Sequence, residues 1–265
     1  MQPPADLFDP AVLDELRTRI DGRATPLFLD YDGTLTPIVD NPAEARLDPA
    51  MHAALEQLAA RHTVALVSGR DLQALQAFVG LESVYYAGSH GFEIVGPGGV
   101  HRCNEEAEAG LDALAAAAEE LDDALAAVEG TLLERKRFAL AVHYRSTPED
   151  QIEQVRAAVD EVLERHPQLR CGPGKCVFEL QPDVAWDKGR AVLWLLEALS
   201  LNNGDTLPIY IGDDWTDEHA FRALEGRGVG IFVGEPDRAT AADYRVADVA
   251  AVRRFFEQLL RGLER

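Results

Sequence analysis

Cysteine is scarce in this 265-residue chain, which holds only Cys103, Cys171 and Cys176. An odd number without the close spacing of metal ligands argues against a disulfide framework and a zinc site, leaving ordinary reduced thiols. Basic residues are in deficit, 25 against 46 acidic, for a net charge of −21. Nucleic acid and anionic membrane would be repelled at long range, so neither is expected as a partner. Long apolar runs are missing too. Hydrophobic residues make up 47% of the chain, yet no stretch has the length needed to cross a bilayer. The opening MQPPADLFDP lacks the basic-then-apolar form of a signal peptide. A cytoplasmic protein of one large domain or two coupled ones is expected.

What the chain does have is LFLDYDGTLTP at 27–37. Leu27, Phe28 and Leu29 form an apolar run suited to a buried parallel strand, and Asp30, Asp32, Gly33 and two hydroxyls follow closely. In open α/β sheets ligands bind beyond the carboxyl ends of the strands, so chemistry is expected just after Leu29. Two carboxylates this close repel unless a cation sits between them, and Mg²⁺ suits such hard oxygen ligands. One acid can then attack phosphorus while the other acts as general acid and afterwards as base. The plainer alternative is a turn at Asp32-Gly33, a common hairpin signal.

Periodicity places helices at about 7–20, 49–61, 71–79, 105–128, 148–166, 187–200, 216–225 and 249–263. Strands are expected at 27–30, 63–67, 84–87, 131–145, 175–181, 207–212 and 228–233. The alternation of buried strands with helices predicts an α/β protein with a doubly wound parallel sheet. After Gly96-Pro97-Gly98-Gly99 the texture changes. A small α+β layer is predicted as an insertion at 107–182, splitting the core into 1–106 and 183–265.

Several strand ends carry complementary groups. Ser68 and Gly69, before a helix, offer a hydroxyl and backbone N–H groups to a phosphate oxygen; the alternative is a simple helix cap. Arg70 is assigned to that loop rather than to a ligand. Asp213 is the expected further metal ligand, with Asp214 and Asp217 holding metal-bound water and orientation; complementing a helix dipole is their plainer role. Lys188 opens a helix, where a cation is unfavourable against the dipole, and a use for it is to neutralise the attacking carboxylate and the phosphoryl oxygens.

Together DYDGT at 30–34, SGR at 68–70, DKG at 187–189 and GDDWTDE at 212–218 resemble the four ordered motifs of the haloacid dehalogenase-like phosphohydrolases. DGTLTPI at 32–38, GSHGFE at 88–93, ERKRFALAVHYR at 134–145 and GKCVFELQP at 174–182 resemble, more closely, the trehalose-6-phosphate phosphatase family. That resemblance implies a Rossmann-like core and a mobile inserted cap, with Asp30 as nucleophile and Asp32 as acid and base. It implies Mg²⁺ on the Asp30 carboxylate, the Asp32 carbonyl and Asp213, with Gly33, Ser68, Gly69 and Lys188 on the phosphate. His90 and Gly91 match a core loop near the sugar. Glu134, Lys136, Arg145, Lys175 and Glu179 match cap positions that hold disaccharide hydroxyls; a solvated, salt-bridged face is the plainer role. Period-two alternation puts Glu134, Lys136 and Phe138 on one strand face, and His143 is expected to be a packed strand histidine.

The implied activity is hydrolysis of trehalose 6-phosphate to trehalose and phosphate, the last step of trehalose biosynthesis. The alternative is a phosphatase for a related sugar phosphate such as sucrose phosphate or glucosylglycerol phosphate. Many family members carry a fused synthase domain for which this chain has no room, so a free-standing phosphatase, coupled at most to a separate synthase, is expected.

Overall fold

The computed structural model describes residues 4–39, 41–172, 176–236 and 239–262. The expectation placed on Lys175 lies outside the described residues. Two compact units are present, one formed by Met1–Arg102 with Trp186–Arg265 and the other by Cys103–Ala185.

In chain order the strands are β1 (Ala5–Asp6), β2 (Leu27–Leu29), β3 (Val64–Val67), β4 (Tyr85–Gly88), β5 (Glu93–Gly96), β6 (Val100–Cys103), β7 (Leu132–Arg135), β8 (Leu140–His143), β9 (Leu169–Gly172), β10 (Val177–Pro182), β11 (Ile209–Gly212), β12 (Val229–Val233) and β13 (Tyr244–Val246). Among the described residues the first unit carries one sheet in the order β1-β13-β12-β11-β2-β3-β4-β5-β6. Every pair from β1 through β4 in that order is parallel, and β5 turns back antiparallel on β4. The chain builds outward from β2 through β3 and β4, then returns to β2's other side through β11. That reversal between β2 and β11 is the topological switch point at which such sheets bind ligands.

Side-chain alternation divides the core between the sheet's two faces. Leu27, Leu29, Val64 and Leu66 pack with Leu16, Met51, Leu55, Leu75 and Phe255 from helices Pro10–Ile20, Pro49–Ala59, Leu72–Val79 and Val249–Leu260. Phe28, Ala65 and Val67 pack with Val192, Leu195 and Phe221 from helices Lys188–Ala198 and Glu218–Leu224. Leu27, Phe28 and Leu29 are wholly buried, each worth about 1.5–3 kcal/mol relative to exposure. This burial holds the acid-bearing end of β2 rigidly. The alternative of a plain hairpin turn at Asp32-Gly33 is half met: the chain turns there, with the Gly33 N–H donating to the Thr36 carbonyl at 2.8 Å, but no hairpin follows, because β2 is paired in parallel on both sides.

The second unit is an antiparallel sheet, β7-β8-β10-β9, covered by helices Leu111–Leu125 and Ile152–Arg165. Two expectations here are corrected. The single helix at 105–128 is two, Glu105–Ala109 and Leu111–Leu125, meeting at Gly110, a poor helix former. The stretch 131–145 is not one alternating strand but a hairpin, β7 against β8. Lys136 N–H donates to the Ala139 carbonyl at 2.9 Å, so the chain turns after Arg135. Lys136 and Phe138 therefore do not share a strand face with Glu134.

Candidate active site

Asp30 and Asp213 are carried by adjacent strands whose register is fixed by the main chain. Leu29 pairs with Ile211, and the Asp30 N–H donates to the Ile211 carbonyl at 2.9 Å. Between the two acids lies the tight loop 31–36, where Gly33 has φ +81°. A Cβ at Gly33 would sit 2.0 Å from Asp213 Oδ2, so only glycine lets this carboxylate approach the loop. The Thr34 hydroxyl is 3.5 Å from Asp213 Oδ1.

Lys188 starts helix Lys188–Ala198 behind the cap residue Asp187. Its Nζ lies 2.9 Å from Asp30 Oδ1 and 2.7 Å from Asp217 Oδ1, and all three side chains are buried. Burial alone pulls the ammonium down, but Asp217 and then Asp30 outweigh it and hold Lys188 above the ordinary lysine value. Burial, then the charge of Asp217, raises Asp30 well above the usual carboxylate range, with Lys188 opposing.

Asp217 is satisfied from three directions. Tyr210 donates its hydroxyl proton to Oδ1 at 2.6 Å, Lys188 donates to the same oxygen, and the Asp214 N–H donates to Oδ2 at 2.9 Å. Asp214 caps the short helical turn Trp215–Asp217, its Oδ1 accepting from the Trp215 N–H at 2.6 Å. These contacts make Asp217 an anchor for Lys188, a role added to the one expected of it beside metal-bound water. Tyr210 is a residue the sequence reading misses, because within an apolar strand it reads as core.

One carboxylate oxygen from each of Asp30, Asp213 and Asp217 falls within 4.8 Å of the others. Asp217 Oδ1 accepts two hydrogen bonds and Oδ2 one, so Asp30 and Asp213 keep more capacity for a hard cation. Asp213 is pushed up to about 7 by burial, then by Asp217. Three clustered acids facing one lysine leave negative charge unneutralised, and a divalent ion fits that deficit.

Asp32 sits on the same loop and is bonded by Arg70 through both carboxylate oxygens, at 2.6 and 2.7 Å. Ser68 is buried and is not a helix cap: the helix after it starts at Leu72, with Asp71 in the cap position. The Ser68 carbonyl accepts from the His90 N–H at 2.8 Å, and a Cβ on Gly69 would come within 2.8 Å of the His90 ring. Ser68, Gly69, His90 and the adjoining Gly91 therefore form one patch beside the ends of β3 and β4. His90 has φ 57°, ψ 23°, a left-handed backbone uncommon for a residue with a side chain.

In the second unit, Lys136 Nζ donates to Glu179 Oε1 at 2.8 Å and Glu134 pairs with His143 at 2.9 Å. Arg145 is exposed. His143, expected to be packed, is half-buried and paired instead.

This core has the fold of haloacid dehalogenase-like hydrolases: one from Bacteroides thetaiotaomicron superposes with a TM-score of 0.64 at 16% identity, over 89% of this chain and all of that one. The trehalose-phosphatase profile matches residues 28–250, and the chain belongs to that family. It is 45% identical over 251 residues to a trehalose-phosphate phosphatase of Mycobacterium avium (strain 104), covering 92% of this chain and 64% of that protein. The chain thus spans less than two thirds of this relative's length. A crystal structure of Aspergillus fumigatus trehalose-6-phosphate phosphatase is similar with 28% identity and a TM-score of 0.67, covering 98% of this chain and 99% of that one.

Proposed function

We propose that the chain is a Mg²⁺-dependent phosphatase that hydrolyses trehalose 6-phosphate to trehalose and phosphate, completing trehalose synthesis with substrate from a trehalose-phosphate synthase. One observation carries the chemistry: Lys188 is held 2.9 Å from Asp30, beside Asp213 at the switch point of a parallel sheet. Family membership carries the substrate.

An Asp30 oxygen attacks phosphorus in line as the bond to the sugar oxygen breaks, and Asp32 gives that oxygen a proton. The products of this half are free sugar and an aspartyl-phosphate. Asp32 then takes a proton from water, whose oxygen attacks phosphorus, and the bond to Asp30 breaks to release phosphate. Lys188 neutralises charge on Asp30 and on the phosphoryl oxygens throughout. Ser68 and the N–H groups around Gly33 and Gly69 hold the remaining oxygens. Mg²⁺, held by Asp30, Asp213 and the Asp32 carbonyl, would supply charge neutralisation between carboxylate and phosphate. Residues 103–185 supply the sugar-reading surface, with Glu134, Lys136, Arg145, Lys175 and Glu179 on the hydroxyls and His90 and Gly91 contributing from the core.

A phosphate-release screen over trehalose, sucrose, glucosylglycerol and glucose phosphates, with and without chelator, tests this. Trehalose 6-phosphate should lead by a wide margin, only with Mg²⁺ present, and Asp30→Asn should abolish turnover. Equal rates on all sugars would remove the substrate assignment, and retained turnover in Asp30→Asn would remove the nucleophile.

A further inference from the structure

Arg70 grips Asp32 with both arms of its fork: Nε–H donates to Oδ2 at 2.7 Å and Nη2–H to Oδ1 at 2.6 Å. A planar guanidinium matches a carboxylate in this way and fixes its direction as well as its place. The arginine is itself held. Its guanidinium carbon lies 4.8 Å from the centre of the Phe78 ring and 5.3 Å from that of Tyr31. Its N–H donates to Ser68 Oγ at 3.2 Å and its carbonyl accepts from the Ser89 N–H at 2.7 Å. The Arg70 side chain is 13% exposed and that of Asp32 39%. A rigid cation rooted in the loop after β3 therefore aims an acid on the loop after β2, while leaving that acid open to an incoming molecule.

We propose that Arg70 is the positioning residue for proton transfer to the leaving sugar oxygen, acting through Asp32. This rests on the acid and base role assigned to Asp32 above. Without the fork, the short Asp32 side chain, itself 39% exposed, would be free to rotate, and proton transfer demands hydrogen-bond reach. Two contacts suit a group that changes protonation state. One carboxyl oxygen delivers the proton to the sugar oxygen while the other stays on the guanidinium, so the carboxyl keeps its bearing. Once the proton has left, both contacts are available again and Asp32 faces water as a base. Every proton is accounted for: Asp32 loses one to the sugar oxygen and regains one from water. Lysine could supply the charge but not the fork.

The test compares leaving groups. A sugar alkoxide needs a proton to depart, whereas p-nitrophenolate does not, so a defect confined to proton delivery penalises the sugar phosphate selectively. Arg70→Met should lower kcat/KM for trehalose 6-phosphate by about 10²-fold, the lower end of general-acid contributions, and that for p-nitrophenyl phosphate by at least about 10-fold less. Asp32→Ala should show the same selectivity, and Arg70→Lys should recover only part of the loss. In Arg70→Ala, added millimolar guanidinium chloride should restore sugar-phosphate turnover; this arm decides if the aryl phosphate is a poor substrate or Arg70→Met does not fold. Equal losses on both substrates, full activity in Arg70→Lys, or no rescue would overturn the proposal. Failure of the wild type to release phosphate from any sugar phosphate would instead defeat the functional assignment itself.

Discussion

The Tyr210 hydroxyl donates to Asp217 at 2.6 Å in a site from which water is excluded, since both side chains are fully buried. A tyrosine on the strand before Asp213 thereby holds the acid that anchors Lys188. Tyr210→Phe keeps the ring and removes only this bond. Stability should fall by about 1–3 kcal/mol, the usual cost of leaving a buried polar partner unsatisfied, and kcat by about 10-fold, as for other outer groups that orient a site. KM should stay nearly constant. Urea melts and steady-state kinetics check this, and an unchanged kcat would show that Lys188 needs no such support.

Lys188 balances two buried carboxylates at 2.7 and 2.9 Å, so Lys188→Met removes the cation and keeps the stem. Breaking a buried pair from one side typically costs about 3–5 kcal/mol. The melting temperature should drop accordingly, and turnover should fall by about 10²–10³-fold. Thermal denaturation beside activity separates the two effects. A variant as stable as wild type would mean that the acids had taken up protons instead.

Gly33→Ala places a methyl group where Asp213 Oδ2 now lies, 2.0 Å away, on a backbone at φ +81°. Asp213 must move out. Apparent Mg²⁺ affinity, read from activity against metal concentration, should weaken by about 10-fold or more, the scale of disturbing a ligand's support. Unchanged metal dependence would argue that Asp213 is not a ligand.

The pH dependence of stability in chelator should carry the mark of Asp213. Its carboxyl is raised from an ordinary value of 3.8 to about 7 by burial and by Asp217. Between those values the folded protein binds the proton that the unfolded chain has released, so stability falls as pH rises through the window and stays low above it. Melting of metal-free protein from pH 5 to 8 should show this decline, and Asp213→Asn should flatten it. Added Mg²⁺ should raise the melting temperature more at pH 8 than at pH 6, since proton and metal compete for the same oxygens. A metal effect independent of pH would sink this account.

Much of the site could be read because its acids interrupt apolar runs: Asp30 follows Leu27–Leu29 and Asp213 follows Ile209–Gly212. Lys188 was legible for a related reason, a cation placed against a helix dipole. Pairings that close only in three dimensions were not. Arg70 and Asp32 are 38 residues apart, and serving its loop was the most that local sequence could say of the arginine. Tyr210 has the hydrophobic body its strand requires, so the direction of its hydroxyl left no trace in the pattern. In the second unit, one-residue features decided the outcome. Gly110 splits a helix that Leu and Ala spacing made continuous, and a turn at 136–139 ends an alternation that seemed to run on. The two-residue strand Ala5–Asp6 is too short to show a period at all.

The charged groups gathered around Asp30 all belong to one compact unit, whereas the Lys136–Glu179 pair lies in the other, with side chains 21% and 23% exposed. Altering a buried acid cluster carries a heavy penalty, while exchanging partly exposed partners carries less. In the proposed function, substitutions within residues 103–185 would therefore reshape the preferred leaving molecule while sparing the groups assigned to ester cleavage, which would make this architecture a ready ancestor for phosphatases of altered taste.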